Sequence, residues 1–262
     1  MLKIEKSEKL GKNFQGRDPK TDLQNLPKDK LPLHIGIIPD GNRRWARKNE
    51  VTRNEGHLAG YRAVRKTLLS LFETGIKYLS LYALSLENAQ KRTPDELKYI
   101  YEIIKLASET IKNEPIVTEE KIRFTVSGRI DLLPQHVRDT INDLLEYTKD
   151  HDNAFVNVLI NYDGQAEIAD AVKNIIKDGK KPEEVNRALI KKYLYRGHQN
   201  FPELDFLIRT GMDDGARISG FLLWDASYAE FKFRNEFWPD YNEELLLEDL
   251  EDFINRNRRK GK

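Results

Sequence analysis

Six short apolar runs, each separated from the next by a longer segment of helical period, constrain this chain more than any other feature of its sequence. The runs fall at about residues 33–38, 78–83, 122–127, 155–160, 205–208 and 230–233. In the first intervening segment Leu58, Tyr61, Val64, Leu68, Leu71 and Phe72 recur at helical spacing, and Gly75 follows as a stop. The same reading predicts helices over 57–74, 95–113, 134–148, 164–178 and 183–195, with another at 242–258. Parallel strands need a crossover between them, and that crossover covers a face of the sheet. The expected fold is therefore α/β: a single domain with a central, mostly parallel six-stranded sheet flanked by helices. A chain of 262 residues supplies one sizeable core. Residues 1–30 are lysine-rich and lack apolar periodicity, which predicts a mobile or loosely docked basic N-terminal arm ahead of a globular domain over 31–262.

The helix at 95–113 is unusual. Thr93 is a good cap and Pro94 a favoured first residue, but the apolar side chains form two stripes. One holds Leu97, Ile100, Tyr101, Ile104, Ala107 and Ile111; the other holds Tyr99, Ile103 and Leu106. A helix apolar around so much of its circumference is buried on more than one side. Either it is a central core helix, or its second side lines a cavity for a long apolar ligand.

Several function classes lose support. With 44 basic and 43 acidic residues the net charge is +1, so no global field favours nucleic acid, and any anion must be held by a local cluster. The absence of cysteine excludes disulfides and thiolate metal sites. The apolar stretches are far shorter than the roughly 20 residues that span a bilayer, and no signal-peptide pattern opens the sequence. The expectation is a cytoplasmic protein, with peripheral membrane contact at most. Neither nucleotide-binding glycine pattern stands at a strand–helix junction, and no nucleophile elbow occurs.

Chemistry gathers where the runs end. The first leads into Asp40-Gly41-Asn42-Arg43-Arg44, the second into Ser85-Leu86-Glu87-Asn88, the fourth into Asn161-Tyr162-Asp163-Gly164, and the fifth into Arg209-Thr210-Gly211. In a parallel sheet these termini meet at one edge, where ligands collect. Asp40 could hold a divalent cation, Gly41 lets backbone approach a phosphate, and Arg43 and Arg44 could neutralise it. Amide, hydroxyl and guanidinium donors with few carboxylates suit two diphosphates and a metal ion. His57, after Arg53 and Gly56, stands where an imidazole could bond a phosphate, although a histidine at a helix start is often structural.

These residues spell a family pattern. Asp40-Gly41-Asn42-x-Arg44-Trp45, Arg53…Gly56-His57-x-x-Gly60, Tyr82-Ala83-x-Ser85-x-Glu87-Asn88, Asn161-Tyr162, and Asp205…Arg209-Thr210-Gly211…Arg217-Ile218-Ser219 through Tyr228-Ala229-Glu230 follow one another. Together they resemble the cis-prenyltransferases, the undecaprenyl and dehydrodolichyl diphosphate synthase family, from about residue 33 to the end. The resemblance implies that isopentenyl diphosphate is condensed repeatedly onto an allylic diphosphate primer, such as farnesyl or geranylgeranyl diphosphate. It also implies Mg2+, a homodimer, an apolar tunnel and no nucleic-acid partner, with transient membrane contact for product release.

By motif position, Asp40 is the implied essential carboxylate. Gly41, Asn42, Arg43, Arg44, Arg53 and His57 would form the allylic diphosphate pocket, with Trp45 behind it. Arg209, Arg217 and Ser219 would bind isopentenyl diphosphate. Ser85 and Asn88 would lie near the reacting carbons, and Arg92 would close over the substrate, after a one-residue insertion. Asp40 and Glu230 would organise Mg2+, with Glu230 near the other subunit's site, and Arg259-x-Gly261 would reach toward that partner.

The departures from the pattern are local. The segment Met212–Ala216 is about two residues longer than usual, and Gly220 stands for asparagine, Asp225 for glutamine and Ala89 for an aromatic residue. Asp163 and Gln165 stand where glycine and arginine are favoured. Ala89 leaves room for a longer primer such as geranylgeranyl diphosphate, or for a non-standard acceptor. Two other classes compete: a catalytically silent subunit, which would be expected to lose Asp40 or the Arg209 and Arg217 pair, and a lipid carrier, which leaves the arginines unexplained.

Overall fold

A computed structural model describes residues 18–196, 201–213 and 215–256. All the apolar runs are strands: β1 (His34–Ile38), β2 (Tyr78–Ser85), β3 (Ile122–Ser127), β4 (Ala154–Tyr162), β5 (Phe206–Arg209) and β6 (Glu230–Phe233). They form one six-stranded sheet in the order β3-β4-β2-β1-β5-β6. Every strand pair is parallel. Every residue of β1 and β5 is buried, as a strand covered on both faces requires.

The helices are α1 (Pro19–Gln24), α2 (Asn42–Lys48), α3 (Arg53–Glu73), α4 (Leu86–Lys91), α5 (Pro94–Ile111), α6 (Pro115–Glu119), α7 (Gln135–Tyr147), α8 (Gly164–Lys177), α9 (Arg187–Tyr193) and α10 (Glu243–Asn255). The sequence reading starts α3 at about 57. It starts earlier because Thr52 and Glu55 close a capping box, with Glu55 N donating to Thr52 Oγ1 at 3.2 Å and Thr52 N to Glu55 Oε2 at 2.8 Å.

The two faces of the sheet bury different cores. Ile35, Ile37, Leu79, Leu81, Val156 and Phe206 face Leu68, Leu71 and Phe72 of α3 and Leu246, Leu250 and Phe253 of α10. On the other side Ile38, Tyr82, Leu159 and Leu207 pack with Phe221, Leu222 and Ala226. Gly36 is what allows this second packing, since a Cβ there would lie 2.6 Å from Phe221 Cε1.

Two open readings resolve one way each. Residues 18–30 are docked rather than mobile: Leu23 of α1 is 1% exposed within the main core, and Gln24 Nε2 donates to Glu73 Oε2 at 3.1 Å. Residues 1–17 lie outside the described residues. Helix α5 is not a central core helix, because its buried residues are Glu96, Ile100 and Ser108. Ile100, Ile103, Ile104, Ala107 and Ile111 instead line a cavity. That lining comes from the first apolar stripe and Ile103, whereas Leu106 of the second is exposed.

Candidate active site

Parallel pairing puts the ends of β1 and β5 side by side, with Ile38 opposite Arg209. Asp40 therefore emerges two residues beyond β1, next to the arginine that ends β5. Arg209 Nη2 donates to Asp40 Oδ2 at 2.9 Å, and its Nη1 donates to Ser219 Oγ at 2.9 Å and to the Arg217 carbonyl at 2.8 Å. Thr210 fixes the backbone beneath the carboxylate: its hydroxyl donates to the Asp40 carbonyl at 2.8 Å, while Asp40 N lies 3.1 Å from the same oxygen. Arg209 Nε is buried with no hydrogen-bond partner, so the guanidinium keeps donor capacity.

Gly41 carries the turn from strand to α2 at φ 108°, where a Cβ would strike the Phe237 side chain at 2.7 Å. The glycines of the next motif do a different job. Gly56 and Gly60 lie where α3 crosses α2, and a Cβ at Gly60 would come within 2.5 Å of Asn42 Oδ1. That oxygen is buried without a partner. Arg44 reaches back over the turn, donating through Nη2 to the Gly211 carbonyl at 2.6 Å and pairing through Nη1 with Asp213.

Above this, His57 of α3 faces α5. Its Nε2 lies 3.0 Å from Glu96 Oε1, and the same carboxylate pairs with Arg92. Arg43 and Arg53 stand 3.7 and 3.8 Å from it. Burial holds the His57 imidazole below its ordinary value, against the pull of the Glu96 hydrogen bond. Burial alone would raise the Glu96 carboxyl, but the His57 bond and the charges of Arg92 and Arg43 outweigh it and hold the carboxyl below its usual range. The cluster is thus a neutral imidazole and an ionised carboxylate at neutral pH, framed by three guanidinium groups.

Sequence reasoning did not single out Glu96. Thr93-Pro94-Asp95-Glu96 reads as a capping box, but only half of one exists. Glu96 N donates to Thr93 Oγ1 at 3.3 Å, while the carboxylate turns to His57 and Arg92. Spacing gave no helical signal for the pair, because Arg92 and Thr93 are extended and only Glu96 lies within α5.

Most of these groups open onto one cavity of about 930 Å³, with Glu96 behind its lining. Asp40, Gly41, Asn42, Arg43, Arg44, Arg53, His57, Arg92, Arg209, Arg217 and Ser219 line it, as do Ser85 and Asn88. Ser85 also caps α4, accepting from Asn88 N at 3.0 Å. Deeper, the lining becomes Leu68, Leu81, Phe124, Val126, Val158 and Ile160 from α3 and the strands, opposite the α5 residues already named.

Two of the expected site residues do not line the cavity. Trp45 does not line the cavity; its Nε1 donates to Asp240 Oδ1 at 2.7 Å, anchoring α2 to the turn after β6. Glu230 begins β6 opposite Phe206, at the amino edge of the sheet, whereas Asp40 follows the carboxyl edge. It pairs with Arg256 Nη1 at 3.0 Å. One chain therefore does not bring Glu230 to Asp40. Arg259 and Gly261 lie outside the described residues.

Comparison with known proteins agrees with this geometry. The family model for undecaprenyl diphosphate synthase matches residues 38–261. An isoprenyl transferase of Fusobacterium nucleatum is 42% identical over 232 residues, 88% of this chain and 96% of that relative. A tritrans,polycis-undecaprenyl-diphosphate synthase of Thermoplasma volcanium, geranylgeranyl-diphosphate specific, is 36% identical over 244 residues, 92% of this chain and 93% of its own. Among solved structures, lavandulyl diphosphate synthase from Lavandula x intermedia, in complex with dimethylallyl diphosphate, matches with a TM-score of 0.84 at 27% identity. The match covers 89% of this chain and 100% of that one. The chain belongs to the undecaprenyl diphosphate synthase family of cis-prenyltransferases.

Proposed function

We propose that this protein extends an allylic diphosphate primer by successive cis condensations with isopentenyl diphosphate, giving a polyprenyl diphosphate for lipid-carrier synthesis. The observation that carries this reading is the continuity of an arginine-rich mouth with an apolar cavity floored by the sheet. A diphosphate head and a hydrocarbon tail are matched by opposite ends of one space. In each cycle the allylic carbon–oxygen bond breaks, a carbon–carbon bond forms to the incoming unit, and diphosphate and a proton leave. Arg44, Arg53 and Arg92 are assigned to the allylic diphosphate, where they stabilise the departing charge. Arg209, Arg217 and Ser219 are assigned to isopentenyl diphosphate, held beside Ser85 and Asn88 at attack distance. As the chain lengthens, its tail moves along the α5 lining of the cavity.

Mg2+ fits Asp40 as a shared rather than a protein-made site. The carboxylate faces the cavity, but among the described residues no three or more His, Cys, Asp or Glu side chains are grouped to hold a metal ion. Phosphate oxygens and water would complete the shell, and the cation would neutralise charge on the leaving group. A role for Glu230 at that cation requires a second copy of the chain, so the homodimer belongs to the same proposal. No helix among the described residues is long and apolar enough to cross a membrane. Product release is assigned to transient contact with a membrane surface.

The primer is proposed to be geranylgeranyl diphosphate, following the Thermoplasma relative and the small Ala89 side chain beside Asn88. The test is incorporation of labelled isopentenyl diphosphate with dimethylallyl, geranyl, farnesyl and geranylgeranyl diphosphates, each with and without Mg2+. Long products, most rapid with geranylgeranyl diphosphate and dependent on Mg2+, are expected. The silent-subunit reading is disfavoured by the retention and convergence of Asp40, Arg209 and Arg217.

A further inference from the structure

The segment after Gly211 places a carboxylate where the proposed reaction needs a phosphate. Both ends of the Arg44 guanidinium are engaged: Nη1 with Asp213, Nη2 with the Gly211 carbonyl at 2.6 Å and, at 3.5 Å, with Asp40 Oδ1. The Phe237 ring lies 5.3 Å from its Cζ and covers one face. A phosphate that takes the Nη1 edge of this fork, where Asp213 sits, must displace that carboxylate.

The three oxygen partners differ in how firmly they are held. The Gly211 carbonyl belongs to a backbone at φ 65° whose N–H donates to the Glu236 carbonyl at 2.7 Å. Asp40 is held by Arg209 at 2.9 Å and by its backbone bonds to Thr210. Asp213 has its side chain 52% exposed, in the stretch that is longer than the family pattern. An exposed ion pair of this kind is weak and exchangeable, and a phosphate oxygen accepts from the same guanidinium edge.

We propose that Asp213 sets the affinity of this site for diphosphate by occupying the phosphate position on Arg44 until a diphosphate displaces it. The inference rests on the diphosphate reading of the site given above. Its function is to tune affinity: anions too weak to displace the carboxylate are turned away, and a released diphosphate is replaced on Arg44 from within the chain.

The test is calorimetric titration of the full chain with inorganic diphosphate, without turnover, for the wild type, Asp213→Asn, Asp213→Ala and Glu119→Gln. The last removes one exposed negative charge at the end of α6 and controls for net charge. Both Asp213 variants are expected to bind diphosphate about threefold more tightly than wild type, with the difference shrinking at high salt. Glu119→Gln is expected to match wild type. Wild-type binding with unchanged or weakened affinity in both Asp213 variants would overturn the proposal, as would equal tightening by Glu119→Gln. If wild type and Asp213 variants alike fail to bind diphosphate, the diphosphate reading itself falls and this inference falls with it.

Discussion

The two faces of the sheet use similar apolar strand residues to opposite ends. On the face carrying Ile38, Tyr82 and Leu159, Phe221 lies directly against Gly36, and buried polar groups are threaded between strands. His34 is one of these, its ring bridging Ser80 Oγ at 2.9 Å and the Pro202 carbonyl at 3.0 Å. On the face carrying Leu81, Val156 and Val158, α5 stands off and leaves the cavity. The difference teaches that packing density is divided within one sheet: the closed face fixes the strand ends that carry Asp40 and Arg209, and the open face supplies volume.

The largest expected effect concerns the edge the two faces share. Asp40→Asn is expected to lower isopentenyl incorporation by about a hundredfold or more while leaving the thermal midpoint close to wild type. A large loss of stability would mean that Asp40 is chiefly a clamp on Arg209. On the closed face, Gly36→Val should cost about 3 kcal/mol in denaturant unfolding, because the new side chain meets Phe221 with no space to enter. A near-neutral result would show that this face is not close-packed.

The pH dependence of stability probes the same face. Burial depresses His34 from an ordinary 6.5 to about 3. The folded state binds its proton less readily than the unfolded chain, so the stabilisation from a neutral His34 is fully present above pH 6.5 and is lost as pH falls toward 3. The slope is about 1.4 kcal/mol per pH unit between those limits. His34→Gln is expected to flatten the acid limb of urea-unfolding free energy against pH, and an unchanged slope would assign acid sensitivity to other groups. The smallest stability effect is expected on the open face, where Ala107→Trp adds volume to existing space and should shift stability by less than about 1 kcal/mol.

Strand positions and edge chemistry were legible because they depend on local pattern: apolar runs of strand length and the residues that follow them. The convergence of Asp40 with Arg209 followed from parallel pairing alone. Glu96 was not legible, since its partner His57 is 39 residues distant and its local context imitates a capping box. Gly220 read as a departure, yet it sits at φ 74°, a conformation that asparagine also tolerates, so the backbone requirement is common to both. Trp45 and Glu230 were named by motif position, behind the pocket and near the other subunit's site, and the contact with Asp240 and the strand register set both outside the cavity lining of a single chain. The cavity was legible only as one of two readings of α5, because periodicity reports that a helix face is apolar and not whether anything fills the space against it.

The most direct test of the account is the product length made from labelled isopentenyl diphosphate by wild type and by Ala107→Trp. Long polyprenyl products from wild type and markedly shorter ones from a stably folded Ala107→Trp are expected, since the indole would stop the growing chain beside α5. Identical product lengths would contradict the assignment of the cavity to the growing chain, and no incorporation by wild type with any primer would contradict the proposed activity.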